Sequence, residues 1–286
     1  MAATVAVITQ FVQTIAALRH QTRTPPSELR GVGIACAGYV EAVAGVVEDS
    51  PNLPNFRGAP LAALARAAFP GLPLAVDNDA NACAFAEVAA GAARHARHVL
   101  CVTWGTGIGG ALVFNGALWR GTHGFAGEIG HMAVATLQGP RCACGRRGCV
   151  ESFCSSAALL AAAHAARIRN VLGNAPGTVE ELAACARAGD AGARAILRAA
   201  GETLGEAIGS VINLLDIDCC VIGGGVARAG DLVLDAVRAG VAGRAVTAAG
   251  ARTPIVEAAW GARAGWIGAA LLACAVADTS GVPVSA

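Results

Sequence analysis

One stretch of the chain carries the residue types of a metal site. Residues 128–151 read E-I-G-H, ten further residues, then C-A-C-G-R-R-G-C-V-E. His131, Cys142, Cys144 and Cys149 follow the spacing H-x10-C-x-C-x4-C. Three thiolates and one imidazole complete the tetrahedral shell of zinc and leave no position for a catalytic water. Such a site is structural and staples a loop. Gly145 and Gly148 suit a chain that must double back so that the sulfurs face one ion. The carboxylates of Glu128 and Glu151 lie just outside the ligands at the two ends. A zinc clip holds both in one place, as a preorganised site requires.

Three other constellations carry polar or glycine-rich chemistry. The pattern predicts a strand over residues 72–76 that delivers Asp77, Asn78, Asp79 and Asn81 at its carboxyl end, with a helix over 82–90. Open α/β sheets place their ligands at such strand ends. The same Asx residues also serve as ordinary helix caps. G-T-G-I-G-G, residues 105–110, lies between predicted strands over 98–103 and 111–114 and therefore forms a hairpin. Its glycines, Gly105 and Gly107 among them, let backbone N–H groups converge on an anion. Thr106 adds a hydroxyl, although glycine is equally the default turn residue. Gly223, Gly224 and Gly225 join a predicted strand over 219–222 to a helix over 231–238. A flat ring or a phosphate can approach backbone closely there; an ordinary tight connection has the same composition.

The remaining elements must position these groups. Ile8, Phe11, Val12, Ile15 and Leu18 recur at helical spacing, so the chain opens with a helix. Residues 31–38 follow as a buried strand, expected to have neighbours on both sides. Helices are predicted over 61–68, 155–169, 179–188, 191–215 and 264–277. Strand-then-helix rhythm in both halves, without a tandem repeat, gives an α/β chain. Its 286 residues suit one large or two modest domains. Aromatics make up only 4% of the chain, so the core is expected to pack through small contacts.

Composition excludes several function classes. A net charge of +1 argues against a nucleic-acid footprint and against a polybasic membrane surface. All 21 basic residues are arginine, which removes lysine-dependent phosphate loops and Schiff bases. Of the 11 cysteines, Cys36, Cys101, Cys219 and Cys274 sit in apolar runs and read as buried small hydrophobes. No secretory signal is legible at the start. The longest apolar run, residues 266–277, falls short of the roughly 20 residues a bilayer needs. Free thiols suit a reduced, cytoplasmic location.

A carboxylate at a strand end, a rigid Glu/His/Glu cluster and two glycine turns suggest phosphoryl transfer from a nucleotide to a sugar hydroxyl. A hydroxyl becomes a good nucleophile once a base accepts its proton. The transferred group needs alignment and charge neutralisation more than covalent chemistry.

On these motifs the chain resembles the ROK family of sugar kinases, of the bacterial glucokinase and N-acetylmannosamine kinase type. V-D-N-D-A-N-A, G-T-G-I-G-G, G-E-I-G-H with C-A-C-G-R-R-G-C-V-E, and Gly223 to Gly225 each match a family segment, and the likeness covers almost the whole chain. The resemblance implies a two-lobed, actin-like (ribonuclease-H-like) ATPase fold, with an N-terminal lobe over 1–97 and a C-terminal lobe over 98–286 whose last helix returns to the first. It implies Asp79 as general base, with Asn78, Asp79, Glu128, His131 and Glu151 contacting the sugar. His131 would bind zinc through one nitrogen and sugar through the other. Gly105, Thr106, Gly107, Gly223 and Gly224 would face the nucleotide, and Gly38 and Asn52 would edge the sugar site. The implied cofactors are ATP, Mg2+ and structural zinc. The implied substrate is a hexose, glucose first and N-acetylated hexosamines second, and the implied assembly a homo-oligomer. Closure of the lobes would exclude water from the transferred phosphoryl group.

Two departures stand out. Ala37 replaces the proline of the family's P-G pair, a mild change. No D-x-G-G-T loop occurs in the sequence, and the chain begins at the helix that follows that loop in the family. The expectation is an incomplete N-terminal lobe that binds sugar weakly, phosphorylates it poorly and self-associates. A sugar-binding ROK protein without kinase activity is therefore the alternative function. A ROK transcriptional regulator is a further one, though no basic recognition stretch precedes residue 30.

Overall fold

A computed structural model describes residues 2–50, 53–135 and 139–279. In chain order its helices and strands are α1 (Ala2–Thr22), β1 (Val32–Cys36), β2 (Tyr39–Glu41), β3 (Val46–Asp49), α2 (Leu61–Ala68), β4 (Leu74–Asn78) and α3 (Asp79–Ala90). There follow β5 (Val99–Trp104), β6 (Ile108–Phe114), β7 (Ala117–Trp119), α4 (Val150–Cys154), α5 (Ser156–Ala165), α6 (Val179–Arg187) and α7 (Ala191–Leu215). The chain closes with β8 (Cys219–Gly223), α8 (Asp231–Arg244), β9 (Ile255–Glu257) and α9 (Ala264–Thr279).

The chain divides into two compact units. Unit 1 comprises Met1–Ala89, Arg120–Ala126 and Arg263–Ala286; unit 2 comprises Ala90–Trp119 and Gly127–Ala262. The expected cut after residue 97 falls here after residue 89, and the last helix groups with unit 1. The first boundary falls at the end of α3, and a seven-residue crossing segment and the last helix join unit 1 out of sequence order.

In unit 1, β1 and β4 run parallel, with Cys36 opposite Asn78 at their carboxyl ends. Among the described residues β4 is the strand partner of β1, so the expected flanking on both sides is not seen. Helix α9 lies on this pair instead. A Cβ on Gly33 would stand 1.9 Å from the Ala269 carbonyl, so glycine is what permits that approach. Gly268 does the same against Ala82 of α3, at 1.7 Å. The hairpin of β2 and β3 is a second, antiparallel pair. Its inward residues Val40 and Val47 join Leu61, Phe56 and Val76 in one apolar cluster.

Unit 2 is built on a five-stranded sheet in the order β7-β6-β5-β8-β9. The first three strands are antiparallel, whereas β8 is parallel to both β5 and β9. Strands β5 and β8 are nearly all buried, which explains their continuous apolar runs. Helix α7 starts on an Asp190 cap, whose carboxylate accepts the Ala193 N–H, and packs lengthwise on α8. Gly205 and Gly240 let the two backbones meet: their missing Cβ atoms would lie 2.2 Å from the Val237 carbonyl and 2.3 Å from the Glu202 carbonyl. Small-residue contacts of this kind replace the aromatic packing that the composition lacks.

Candidate functional site

The carboxyl end of β4 carries the first group of polar residues, all within unit 1. Asp77 is 2% exposed and its two oxygens are divided between different partners. Oδ1 accepts the Asn78 N–H and the Asn81 Nδ2–H, each at 2.8 Å. Oδ2 accepts two N–H groups of the Arg120 guanidinium, at 2.9 and 2.6 Å. Asn78 caps α3, its Oδ1 accepting from the Ala80 and Asn81 amides at 2.8 and 3.2 Å. Its Nδ2 donates to the Gly38 carbonyl, which uses one of the two amide hydrogens. Gly38 needs glycine twice over: its φ is +112°, and a Cβ would sit 2.5 Å from the Asp49 carbonyl. Asn52 lies outside the described residues.

Asp79 begins α3 and opens to solvent. Its Oδ1 accepts the Ala80 N–H at 3.0 Å. The protein packed around the carboxylate reduces its hydration and raises its pKa above the ordinary aspartate value. Hydrogen bonds from the Ala80 and Asp79 amides and the Asn78 side chain oppose this but do not cancel it. The outward face limits the size of the rise. Cys36 and Cys83 flank the carboxylate and are pushed up to about 11 and about 12 by burial and then by its charge, so both stay protonated thiols.

The second group lies in unit 2 and is built on β6. Residues 129–131 form a 3-10 turn pressed against that strand by glycines. A Cβ on Gly130 would meet the Ile108 carbonyl at 2.0 Å, and one on Gly110 would meet the Gly127 carbonyl at 2.4 Å. Ile129 is buried in the core and anchors the turn. Glu128 and His131 then point the other way, with Glu128 Oε2 3.8 Å from His131 Nε2.

His131 Nδ1 turns toward the cysteines and lies 3.6 Å from Cys142 Sγ. Cys144 Sγ and Cys149 Sγ are 3.7 Å apart, and all four donor atoms fall within 4.8 Å of one another. A ZnS3N tetrahedron with bonds of about 2.3 and 2.0–2.1 Å has edges of about 3.5–3.8 Å. The donor set therefore fits zinc in chemistry, and these two separations match the edges of such a shell. The loop that makes it is tight. Gly145 closes a turn onto the Cys142 carbonyl at φ +84°, and a Cβ on Gly148 would stand 1.3 Å from the Ala135 carbonyl. Burial pushes the Cys142 thiol up, whereas the Arg146 backbone N–H holds Cys144 down.

Glu151 sits in the first turn of α4, where a carboxylate also suits the helix dipole. Its Oε2 accepts the Ile108 N–H at 2.9 Å, and its Oε1 lies 3.7 Å from Cys142 Sγ. A Cβ on Gly107 would come within 2.6 Å of Oε2. The carboxylate thus joins the cysteine loop to the glycine hairpin, a connection with no signal in sequence spacing.

The turn between β5 and β6 closes through Gly105 N–H to the Gly107 carbonyl at 3.0 Å and leaves Thr106 exposed. The parallel pairing of β5 and β8 brings the other glycine turn alongside. A Cβ on Gly224, whose φ is +98°, would lie 2.3 Å from the Trp104 carbonyl, and one on Gly105 would lie 4.0 Å from Gly225 N. Gly223 and Gly224 therefore open beside Gly105, Thr106 and Gly107.

The profile of the ROK family matches residues 3–276 of this sequence. The chain belongs to the ROK family. Among its relatives is a glucokinase from Streptomyces coelicolor, 35% identical over 222 residues that make up 74% of this chain and 69% of that protein. A solved ROK family glucokinase from Streptomyces griseus, in complex with glucose and AMPPNP, superposes with a TM-score of 0.78 at 31% identity, covering 92% of this chain and 87% of that one. A solved ROK family transcriptional regulator, a homologue of the E. coli MLC protein, gives a TM-score of 0.82 at 27% identity over 95% and 69%. The fold is thus the actin-like α/β ATPase fold of ROK proteins. No helix among the described residues is long and apolar enough to cross a membrane.

Arg120, and its pairing with Asp77, are not legible in the sequence. The only signals were an arginine ahead of G-F-A-G-E and an aspartate ahead of N-D, neither of which specifies a partner 43 residues away.

Proposed function

We propose that this ROK protein transfers a phosphoryl group from ATP to a hexose hydroxyl, glucose being the first substrate to test. Asp79 is the general base: it lies at a strand end, open to solvent, with a pKa raised toward the range where a carboxylate accepts a proton well. Glu128, His131 and Glu151 bind sugar hydroxyls, and Asn78 orders the turn that carries Asp79 while keeping one amide hydrogen for the sugar. Amides of the turn at Gly105, Thr106 and Gly107 face phosphate oxygens, and Gly223 and Gly224 border the nucleotide. Mg2+ neutralises phosphate charge when bound with the nucleotide. Zinc, held by His131, Cys142, Cys144 and Cys149, fixes His131 and Glu151 in place and takes no part in the transfer.

The observation that carries this reading is the Glu151 carboxylate, one oxygen on the Ile108 N–H of the glycine turn and the other beside Cys142. It couples a group suited to sugar hydroxyls to a turn suited to phosphates. The relatedness to glucokinases supports the same chemistry. The experiment is a coupled assay for ADP formation with glucose, N-acetylmannosamine and N-acetylglucosamine, beside Asp79→Asn as control. Hexose-dependent turnover lost in that variant supports the reading. Saturable sugar binding without turnover would favour a second one, a sugar-responsive module, which the likeness to a ROK regulator supports.

A further inference from the structure

Residues 120–126 belong to unit 1, although Trp119 before them and Gly127 after them belong to unit 2. Three contacts hold this crossing segment. Phe125 meets Tyr39 edge-on at 5.4 Å between ring centroids. Gly124 passes so close to β2 that a Cβ would lie 3.2 Å from the Val40 carbonyl. The polar tie is the Arg120 guanidinium, which makes two hydrogen bonds to Asp77 Oδ2.

That tie reaches a carboxylate with a second task. Asp77 is buried and needs a cation, and Arg120 supplies it through a planar pair of N–H donors that also fixes the plane of the carboxylate. With the plane fixed, Oδ1 is aimed at the Asn78 amide and the Asn81 side chain. These residues flank Asp79 within the first turn of α3. The direction of the Asp79 side chain follows from the backbone of residues 78–81, whose position depends on Asp77. Without the fork, the Asp77 carboxylate can turn about its terminal bond and release both Oδ1 contacts. The Asn78 side chain ties the turn to Gly38 and caps the Ala80 and Asn81 amides, so what Asp77 adds is the hold on the Asn78 amide and on the Asn81 side chain.

We propose that Arg120 is a positioning residue for Asp79, acting through Asp77; this rests on the reading of Asp79 as the base. Arg120 touches neither Asp79 nor the reacting atoms. It sets the geometry from which Asp79 takes a proton.

Two variants and two readouts test this. Arg120→Lys keeps the cation and loses the planar fork. Asp77→Asn with Arg120→Met removes both charges together, so no buried charge is left unpaired. In both, hydrogen exchange of the amides of residues 78–81 should quicken by about fivefold or more, the protection that one lost hydrogen bond removes. Exchange in β8 should be unchanged. Turnover should fall by up to about 100-fold, the cost of a misplacement near 1 Å, with the hexose KM altered less than about threefold. If Arg120 served only to neutralise Asp77, the double variant would regain wild-type exchange and wild-type turnover, and that result would overturn the proposal. The exchange measurement does not depend on catalysis. Absence of hexose phosphorylation by the unaltered protein would sink the kinase reading, while exchange would still decide the role of Arg120.

Discussion

Replacing Cys144 by serine tests the metal reading most directly. A regular tetrahedron has its centre about 0.61 of an edge from each corner. The 3.7 Å separation of Cys144 and Cys149 sulfurs therefore places an ion about 2.3 Å from each, the usual zinc–thiolate distance. The 3.6 Å separation of Cys142 Sγ and His131 Nδ1 fits the shorter zinc–nitrogen bond. The expected spectrum at the zinc edge is three sulfurs at about 2.3 Å and one nitrogen at about 2.0–2.1 Å. Cys144→Ser exchanges a thiolate for a hydroxyl and should weaken metal affinity by more than the roughly 10–100-fold that loss of an outer-shell partner costs. Because Glu151 bridges Cys142 and the Ile108 amide, hexose affinity should fall along with metal content. The assay is metal analysis and X-ray absorption on protein purified under reducing conditions, with sugar titration of the same samples. Freshly prepared, reduced protein holding no zinc, or a shell dominated by oxygen, would refute the argument.

Other outcomes follow from single contacts. Asp79→Asn should lower hexose-dependent turnover by about 10²–10⁴-fold, the contribution of a general base, with sugar affinity changed much less; steady-state kinetics and calorimetry check this. The same variant should be more stable than the parent at neutral pH. The raised Asp79 pKa means that ionisation costs stability above the folded pKa, and the cost is absent below the unfolded value. The advantage of asparagine should therefore shrink as pH falls through the folded pKa, which urea melts across pH would show. Gly130→Ala should destabilise unit 2 by about 1–3 kcal/mol, since its Cβ would overlap the Ile108 carbonyl and force β6 and the 3-10 turn apart. Gly33→Ala should cost unit 1 a similar amount by lifting α9 from β1; equal thermal stability of either variant and the parent would contradict the packing described.

The sequence alone determined those features whose parts lie close together along the chain. The cluster of His131, Cys142, Cys144 and Cys149, the glycine hairpin and the strand-to-helix step at residue 79 each depend on residues separated by a few turns of backbone, so spacing and side-chain type suffice to read them. The long helix α7 was legible for the same reason, its apolar period and Asp190 cap being local. Short strands were not: β2, β3, β7 and β9 have three or four residues, too few to display a period, and exist because a neighbour pairs with them. Tertiary structure also decided which distant groups meet. The pairing of β5 with β8 sets one glycine turn beside the other, and the crossing segment carries Arg120 to Asp77. Helix α9 covers β1 only because Gly33 and Gly268 remove the side chains that would block it. Such choices rest on shape and on the need of a buried charge for a partner. Both are properties of surfaces brought together by folding, and residue order does not display them.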